Sequence, residues 1–423
     1  MKKKRVIRKL VDKDFNSFLE IWAGAYPGAV PDKFTGEMKR QKIEEWIKTN
    51  NENAAVNFYG CFQDSTLVGG IILYDFKINL YTDQIVDCGG IGEVCVDLLH
   101  KKEHISKELM EFAHNHYYDR GYCLTCLYPF RPDFYAKMGY GIGNKMNQYS
   151  FEPKSLSVTQ KDNISYLTLE DAKSLSECFN RYATSTHGMI LRSDGSSTFN
   201  QMLSGMKVIG YREDERLIGY LAFRIRKVEG GSWLQHNIHI MEFIYESPKA
   251  FRGLLTFLAT QQDQVHRILY NTHDHDFHHF LKEPRSRGNE SIFHIFQESN
   301  IQGVGIMYRV INVTKFFSLL SDHCFGGQSI KLKISIQDTF IPENNGSYII
   351  HFQKGKPKVI SAQEDNEVEM SIDIARFSSL IMGAVGLSKL YNYGLVELSD
   401  TRFLKLLDKL FSTDQPPFTI EPF

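Results

Sequence analysis

The sequence has almost no net charge: Lys plus Arg number 49 and Asp plus Glu 50, leaving −1 with histidine neutral. Such a chain carries no global field of one sign to draw in nucleic acid or an anionic membrane. Long apolar runs are missing too, since no uncharged stretch approaches the ~20 residues of a membrane helix. Met1-Lys-Lys-Lys-Arg5 resembles the start of a secretion signal, but Val6-Ile7 is at once interrupted by Arg8, Lys9, Asp12 and Asp14. The apolar core of a signal is absent, and Lys2–Arg5 read as a solvated terminus. Cysteine is sparse and odd in number: Cys61, Cys88, Cys95, Cys123, Cys126, Cys178 and Cys324. Most lie in apolar, strand-like stretches, which points to reduced thiols in a cytoplasmic protein.

What is present is a packed chain. Hydrophobic residues make up 42 % and charged residues 23 %, which excludes a wholly disordered or fibrous protein. At roughly 150 residues per domain, 423 residues suggest about three domains.

Residues 6–150 alternate strand-like and helix-like segments. Arg5–Leu10 reads as a strand, and Asp12–Ala25 as a helix with Phe15, Phe18, Leu19 and Trp22 on one face. Asn57–Phe62 and Val68–Phe76 form a hairpin about the turn Gln63-Asp-Ser-Thr66. A strand at Gly90–Val96, a helix over Lys101–Arg120, a strand at Tyr122–Tyr128 and a short helix at Arg131–Lys137 follow, with a last strand running through Phe151. This order predicts a mixed α/β sandwich, not a doubly wound sheet. A weak internal repeat supports duplication. Gly60, Asp64, Leu67 and Gly69 match Gly210, Asp214, Leu217 and Gly219 at a constant offset of 150. The third part begins near Thr314, with strands at 330–336 and 346–352, then helices near 374–382 and 401–410. That order predicts a small α+β unit.

Two stretches carry chemistry. In Gly89-Gly-Ile-Gly-Glu-Val-Cys-Val96 a glycine-rich approach enters an apolar strand; a turn with Lys101 and Lys102 and an amphipathic helix come next. A helix N-terminus offers unpaired N–H groups and positive potential to a phosphate, although a solvated lysine turn is the plainer reading of these residues. In Leu127-Tyr-Pro-Phe-Arg-Pro-Asp-Phe-Tyr-Ala-Lys-Met-Gly-Tyr140 a strand runs into a short helix bearing Tyr135.

These motifs resemble the GNAT acetyltransferases. The Tyr-Pro-Phe…Phe-Tyr…Gly-Tyr form resembles, more narrowly, the family of the enhanced intracellular survival protein (Eis). Met241–Leu255, Asn271–His278, Gly303–Ile311 and the aromatic ending Pro422-Phe423 continue the likeness over nearly all of the chain. The resemblance implies a mixed α/β (α+β) protein of three domains. These are a catalytic GNAT domain (1–150), a degenerate GNAT-like domain (151–312) and a sterol-carrier-protein-like domain (313–423) that delivers the C-terminus to the active site.

The resemblance further implies acetyl-coenzyme A as co-substrate and no metal. Val94, Cys95 and Val96 would pair with the pantetheine arm and polarise the thioester carbonyl. Lys101, Lys102, Glu103, His104, Ile105, Ser106 and Lys107 would form the pyrophosphate loop, with Phe130 and Arg131 as further cofactor contacts. Tyr135 would protonate the leaving thiolate. The α-carboxylate of Phe423 would relay the proton of an amine acceptor. Trp22, Tyr26 and Glu421 are candidates for the acceptor site. The loop departs from the family pattern Arg/Gln-x-x-Gly-x-Gly/Ala: His104 replaces a glycine, and Glu103 adds a negative charge. The second domain lacks such a loop at Ser247–Gly253 and is expected to bind no cofactor. Partners implied are a small amine, such as an aminoglycoside, polyamine or lysine side chain, and further copies of the chain in a hexamer or dimer, without nucleic acid or membrane. The alternative is a catalytically weak protein on a GNAT scaffold that binds a small or apolar ligand.

Two further patterns read as structural. Cys123-Leu-Thr-Cys126 lies in an apolar strand, where residues three apart face opposite ways, which argues for core thiols. Thr272-His-Asp-His-Asp-Phe-His-His279 is rich in potential ligands but reads as a turn in the second domain.

Overall fold

The computed structural model describes residues 4–28, 41, 44, 45, 47–49, 53–159, 162–192, 197–286 and 291–423. Lys2 and Lys3 of the basic terminus lie outside the described residues. The first unit runs β1 (Arg5–Lys9), α1 (Phe15–Ala25), β2 (Val56–Gln63), β3 (Thr66–Leu80), β4 (Gln84–Val96), α2 (Ile105–Asp119), β5 (Leu124–Leu127), α3 (Pro132–Ala136) and β6 (Gly141–Ile142). β3 is an almost continuous apolar run because helices cover both its faces. Phe18, Leu19, Ile21 and Trp22 of α1 pack with Phe58, Ile72 and Tyr74 on one side. Ile105, Leu109, Met110 and Ala113 of α2 pack with Val68, Ile71 and Leu73 on the other.

The repeat read from the sequence is a repeated hairpin. β2 and β3 meet at a turn with Asp64 and Ser65 at φ 49° and 72°; the strands Lys207–Glu213 and Arg216–Lys227 meet at Asp214 and Glu215 with φ 45° and 64°. Two consecutive positive φ values define the tight hairpin turn that asparagine, aspartate and glycine favour. The ladders also agree, with Gly60 opposite Gly70 and Gly210 opposite Tyr220.

One expectation fails. The last strand of the first unit does not run through Phe151. It breaks after Ile142, and β7 (Lys145–Phe151) crosses to the second sheet, where it pairs with Val265–Thr272. In return the strand Met307–Val310 leaves the second unit and inserts between β5 and β6. The sheets are therefore β1-β2-β3-β4-β5-(307–310)-β6 and (301–304)-β7-(265–272)-(236–245)-(216–227)-(207–213)-(164–166). Each unit donates a strand across the boundary expected near residue 150, so the two units are interlocked.

The third unit is a five-stranded sheet, (356–360)-(346–353)-(330–337)-(368–373)-(396–398), with helices Ile374–Ile381, Leu387–Asn392 and Leu404–Leu410. It is latched to the first by Arg309. This fully buried side chain makes a two-pronged ion pair with Asp338 at 2.9 and 2.7 Å and donates to the Met138 carbonyl. A Cβ on Gly139 would strike that guanidinium, and the residue's φ of +83° independently favours glycine. The helix that carries Tyr135 thus ends on a pin shared with the third unit. Among the described residues no helix is long and apolar enough to cross a membrane.

Candidate active site

β4 and β5 are parallel and pair only from Cys88–Leu124 to Gly90–Cys126. Past that point β4 follows β3 alone, through a bulge in which Glu93 adopts φ +51°. The bulge makes the sheet open, and the consecutive residues Glu93 and Val94 line two different cavities.

Val94 lines a cleft of about 510 Å³. Val96, Lys101, Lys102, His104, Ile105, Ser106, Lys107, Phe130, Arg131 and Tyr135, all singled out from the sequence, line it as well. Cys95 and Glu103 do not. Cys95 turns its thiol into the core under α1, where it donates to the Gly70 carbonyl at 3.7 Å. Glu103 folds back on Arg5, accepting from Nη2 at 2.6 Å, and so removes its charge from the turn. The helix expected from Lys101 starts only at Ile105, after a short 3-10 turn at Leu98–His100. Lys102 and His104 hold φ of 68° and 65°. The loop therefore keeps a left-handed shape at the position where the family pattern has glycine, with a histidine in a conformation that is strained for it. In the second unit the helix Pro248–Ala259 opens differently. Ser247 accepts from the Ala250 N–H at 3.2 Å, and Pro248 has no N–H to offer.

Tyr135 is 7 % exposed, and its hydroxyl has no hydrogen-bond partner among the described residues. Burial pushes its pKa up to about 12, so it holds its proton at neutral pH. Tyr26 also lines this cleft and donates to the Val94 carbonyl at 3.0 Å, fixing the bulge.

The second cavity, about 700 Å³, is lined by Glu45, Tyr74, Phe76, Glu93, Thr198, Gln201, Glu421 and Phe423, among others. It is built by three parts of the chain: the first unit, the helix Ser197–Gly205 of the second, and the C-terminal tail. Phe423 packs its ring on Tyr74, Phe76 and Tyr128 at 5.6, 4.9 and 5.2 Å. Its carboxyl carbon lies 3.5 Å from where a Cβ on Gly92 would stand, so the chain end lies directly against the β4 bulge. Trp22 lines neither cavity. Its indole donates to Glu93 from behind, while burial raises the Glu93 pKa.

The tail is held along its length. The Phe418 N–H donates to the His187 carbonyl at 2.8 Å, and His273 meets the Thr419 carbonyl at 2.9 Å. Tyr128 donates to the Glu421 carbonyl at 3.1 Å. Glu421 itself accepts from Arg192 Nε at 2.6 Å, and Arg192 makes a paired contact with Glu242 at 3.1 and 2.8 Å. Burial pulls the Arg192 pKa down, but the facing carboxylates more than offset it, so the guanidinium stays charged. The histidine-rich turn at 272–279 is thereby part of the tail's anchor. Among the described residues no group of three or more His, Cys, Asp or Glu could hold a metal ion. Cys123 and Cys126 are buried core thiols, Cys126 lying 3.7 Å from Cys88.

Family models match three segments: a GNAT acetyltransferase domain at residues 6–143, a second at 188–309, and a sterol carrier protein domain at 314–420. The chain belongs to the GNAT acetyltransferases. Its architecture is Eis-like: the whole fold matches Eis1 from Mycobacterium abscessus with a TM-score of 0.75 at 18 % identity, over 99 % of this chain and 100 % of that one. A GCN5-related N-acetyltransferase from Anabaena variabilis matches with a TM-score of 0.79 at 16 % identity, over 99 % and 100 % of the two chains. A probable N-acyltransferase from Enterococcus faecalis matches at 0.78 and 16 %, over the full length of both. At these identities the likeness is one of fold. No curated protein sequence matches the chain. Acetyl transfer from acetyl-coenzyme A is the chemistry of GNAT domains, and this GNAT chain is an acetyltransferase.

Glu93, Arg192 and Glu242 escaped the reading of the sequence. Glu93 left one signal, an acid among glycines in an apolar strand. Arg192 and Glu242 left none, because their partners are remote in the chain.

Proposed function

We propose that the chain transfers acetyl groups from acetyl-coenzyme A directly to primary amines of cationic acceptors, such as aminoglycosides, polyamines or lysine side chains. One observation carries this reading: Phe423, whose α-carboxyl group the reading uses, shares a cavity with Glu45, Glu93 and Glu421, on the other side of the β4 bulge from the cleft that holds Tyr135. Even with Glu421 paired to Arg192, the carboxyl groups around this cavity favour an acceptor with several positive charges. The pantetheine arm lies along Val94–Val96 in the gap between β4 and β5, with its phosphates at the Lys101–Lys107 turn. The amine attacks the thioester carbonyl from the acidic cavity. Its proton passes to the Phe423 carboxylate, directly or through water, and the hydroxyl of Tyr135 protonates the coenzyme A thiolate as the C–S bond breaks.

The reading places the protein in the cytoplasm, in keeping with its seven free cysteines. It also expects a homo-oligomer, a hexamer or dimer, supported by an exposed apolar hairpin with Ile292, Phe293, Ile295 and Phe296.

The experiment is a screen of amines monitored by thiol release, run on the wild type, Tyr135→Phe and a chain extended by one residue after Phe423. Each change should lower turnover by two orders of magnitude or more. Full activity in both variants would remove the assignment, and failure to bind acetyl-coenzyme A at millimolar concentration would favour a ligand-binding scaffold instead.

A further inference from the structure

The cleft that receives the cofactor is closed on one side by a residue of the sterol-carrier unit. Phe340 lines it alongside Lys107, Phe134 and Met138. The aromatic rings and cations of the cleft have an order. Phe130 faces Tyr26 at 6.5 Å, and Tyr26 is bonded to Val94, which marks the thioester end. Lys101 and Lys102 line the same cleft from the turn that joins β4 to α2. After that turn, in the first turn of α2, Lys107 Nζ stands 5.8 Å from the centroid of Phe340. A cofactor with its thioester at Val94 and its phosphates at the turn therefore brings its nucleotide end to Phe340.

Phe340 is also held for such a task. Its ring is half-buried and meets His114 edge-on at 5.3 Å. The N–H groups of Phe340 and Ile341 both donate to Asp338 Oδ1 at 3.0 Å, and Asp338 is pinned by Arg309. The loop that presents the ring thus has its side-chain and backbone partners fixed before any ligand arrives, which limits the ordering lost on binding.

We propose that Phe340 is a cofactor-binding residue, the aromatic face against which the adenine of acetyl-coenzyme A stacks, so that the third unit completes the cofactor site of the first. The proposal rests on the reading of this cleft as the acetyl-coenzyme A site. It gives the sterol-carrier unit a second task beside delivery of the chain end.

The test is calorimetric titration of the full chain with two cofactors, acetyl-coenzyme A and acetyl-4′-phosphopantetheine, which keeps the thioester, the arm and one phosphate but lacks adenosine. Base–aromatic stacking predicts that Phe340→Ala and the volume-conserving Phe340→Leu raise the Kd of acetyl-coenzyme A by about tenfold, with Phe340→Tyr close to wild type. The Kd of acetyl-4′-phosphopantetheine should change less than about twofold in all three. Equal weakening of both cofactors, or of neither, overturns the proposal, and Phe340→Leu and Phe340→Tyr keep the test decisive if the alanine variant fails to fold. A wild type that binds neither cofactor overturns the reading of the cleft itself and the proposal with it.

Discussion

Arg192 and Glu421 lie 229 residues apart in sequence and 2.6 Å apart in space, joining the second GNAT unit to the chain end two residues before its carboxylate. The guanidinium is 4 % exposed and is shared with Glu242, so it can neither leave nor lose its charge cheaply. Arg192 is therefore a positioning residue for Phe423. Arg192→Lys keeps a charge but cannot span both carboxylates, and kcat/KM should fall about tenfold, the effect of losing a paired buried contact of ~1–2 kcal/mol. In a chain lacking residues 421–423 the same substitution should cost nothing more. A double-mutant cycle reads this, and additive losses would exclude action through the tail.

On the proposed reading Glu93 bears on the acceptor, not on the cofactor. Glu93→Gln removes one charge from the acidic cavity while keeping a group that can meet Trp22. The KM for a polyamine should rise about tenfold, within the range for a partly desolvated ion pair, and the KM for acetyl-coenzyme A should stay put. Steady-state kinetics with each substrate varied in turn checks the split.

His104 holds φ +65° at the turn where the phosphates are proposed to bind. Glycine adopts that conformation without penalty and removes a Cβ from the approach. His104→Gly should improve the Kd for acetyl-coenzyme A severalfold, with relief of ~1 kcal/mol of strain. Calorimetry on the two proteins decides it, and weaker binding would show that the imidazole contributes a contact of its own.

His187 makes stability depend on pH. Its Nδ1 accepts from the Tyr81 N–H at 3.0 Å, which assigns the proton to Nε2, donated to the Met382 carbonyl at 3.0 Å. Burial lowers its pKa to about 4 against an ordinary 6.5. The depressed value means the unfolded chain binds the proton more tightly. This contribution is fully present above pH 6.5 and is lost as pH falls toward 4, the loss amounting to about 2 kcal/mol at pH 5. Thermal melts between pH 4.5 and 7.5 should show it, with His187→Asn less sensitive than the wild type over the same window.

Local features were legible in the sequence and distant ones were not. The duplicated hairpin shows because turn residues and glycines act within a few positions of themselves. The helix bearing Tyr135 shows for the same reason, through Pro132 at its start and Gly139 at its end. The strand exchange does not show: Lys145–Phe151 carries the same alternation whichever sheet it joins, and Met307–Val310 is buried in either. The helix expected from Lys101 begins late because two residues with positive φ precede it, and neither Lys102 nor His104 announces that conformation. Glu103 reads as a charge in the loop because its partner, Arg5, is 98 residues away.

The exchanged strands also set an order of events at the ribosome. Met307–Val310 lies between β5 and β6, so the first sheet lacks an interior strand until residue 310 has left the exit tunnel. The amino-terminal unit must wait, with an open sheet edge, for most of the chain to be made, and a fragment ending near residue 150 would never receive its missing strand.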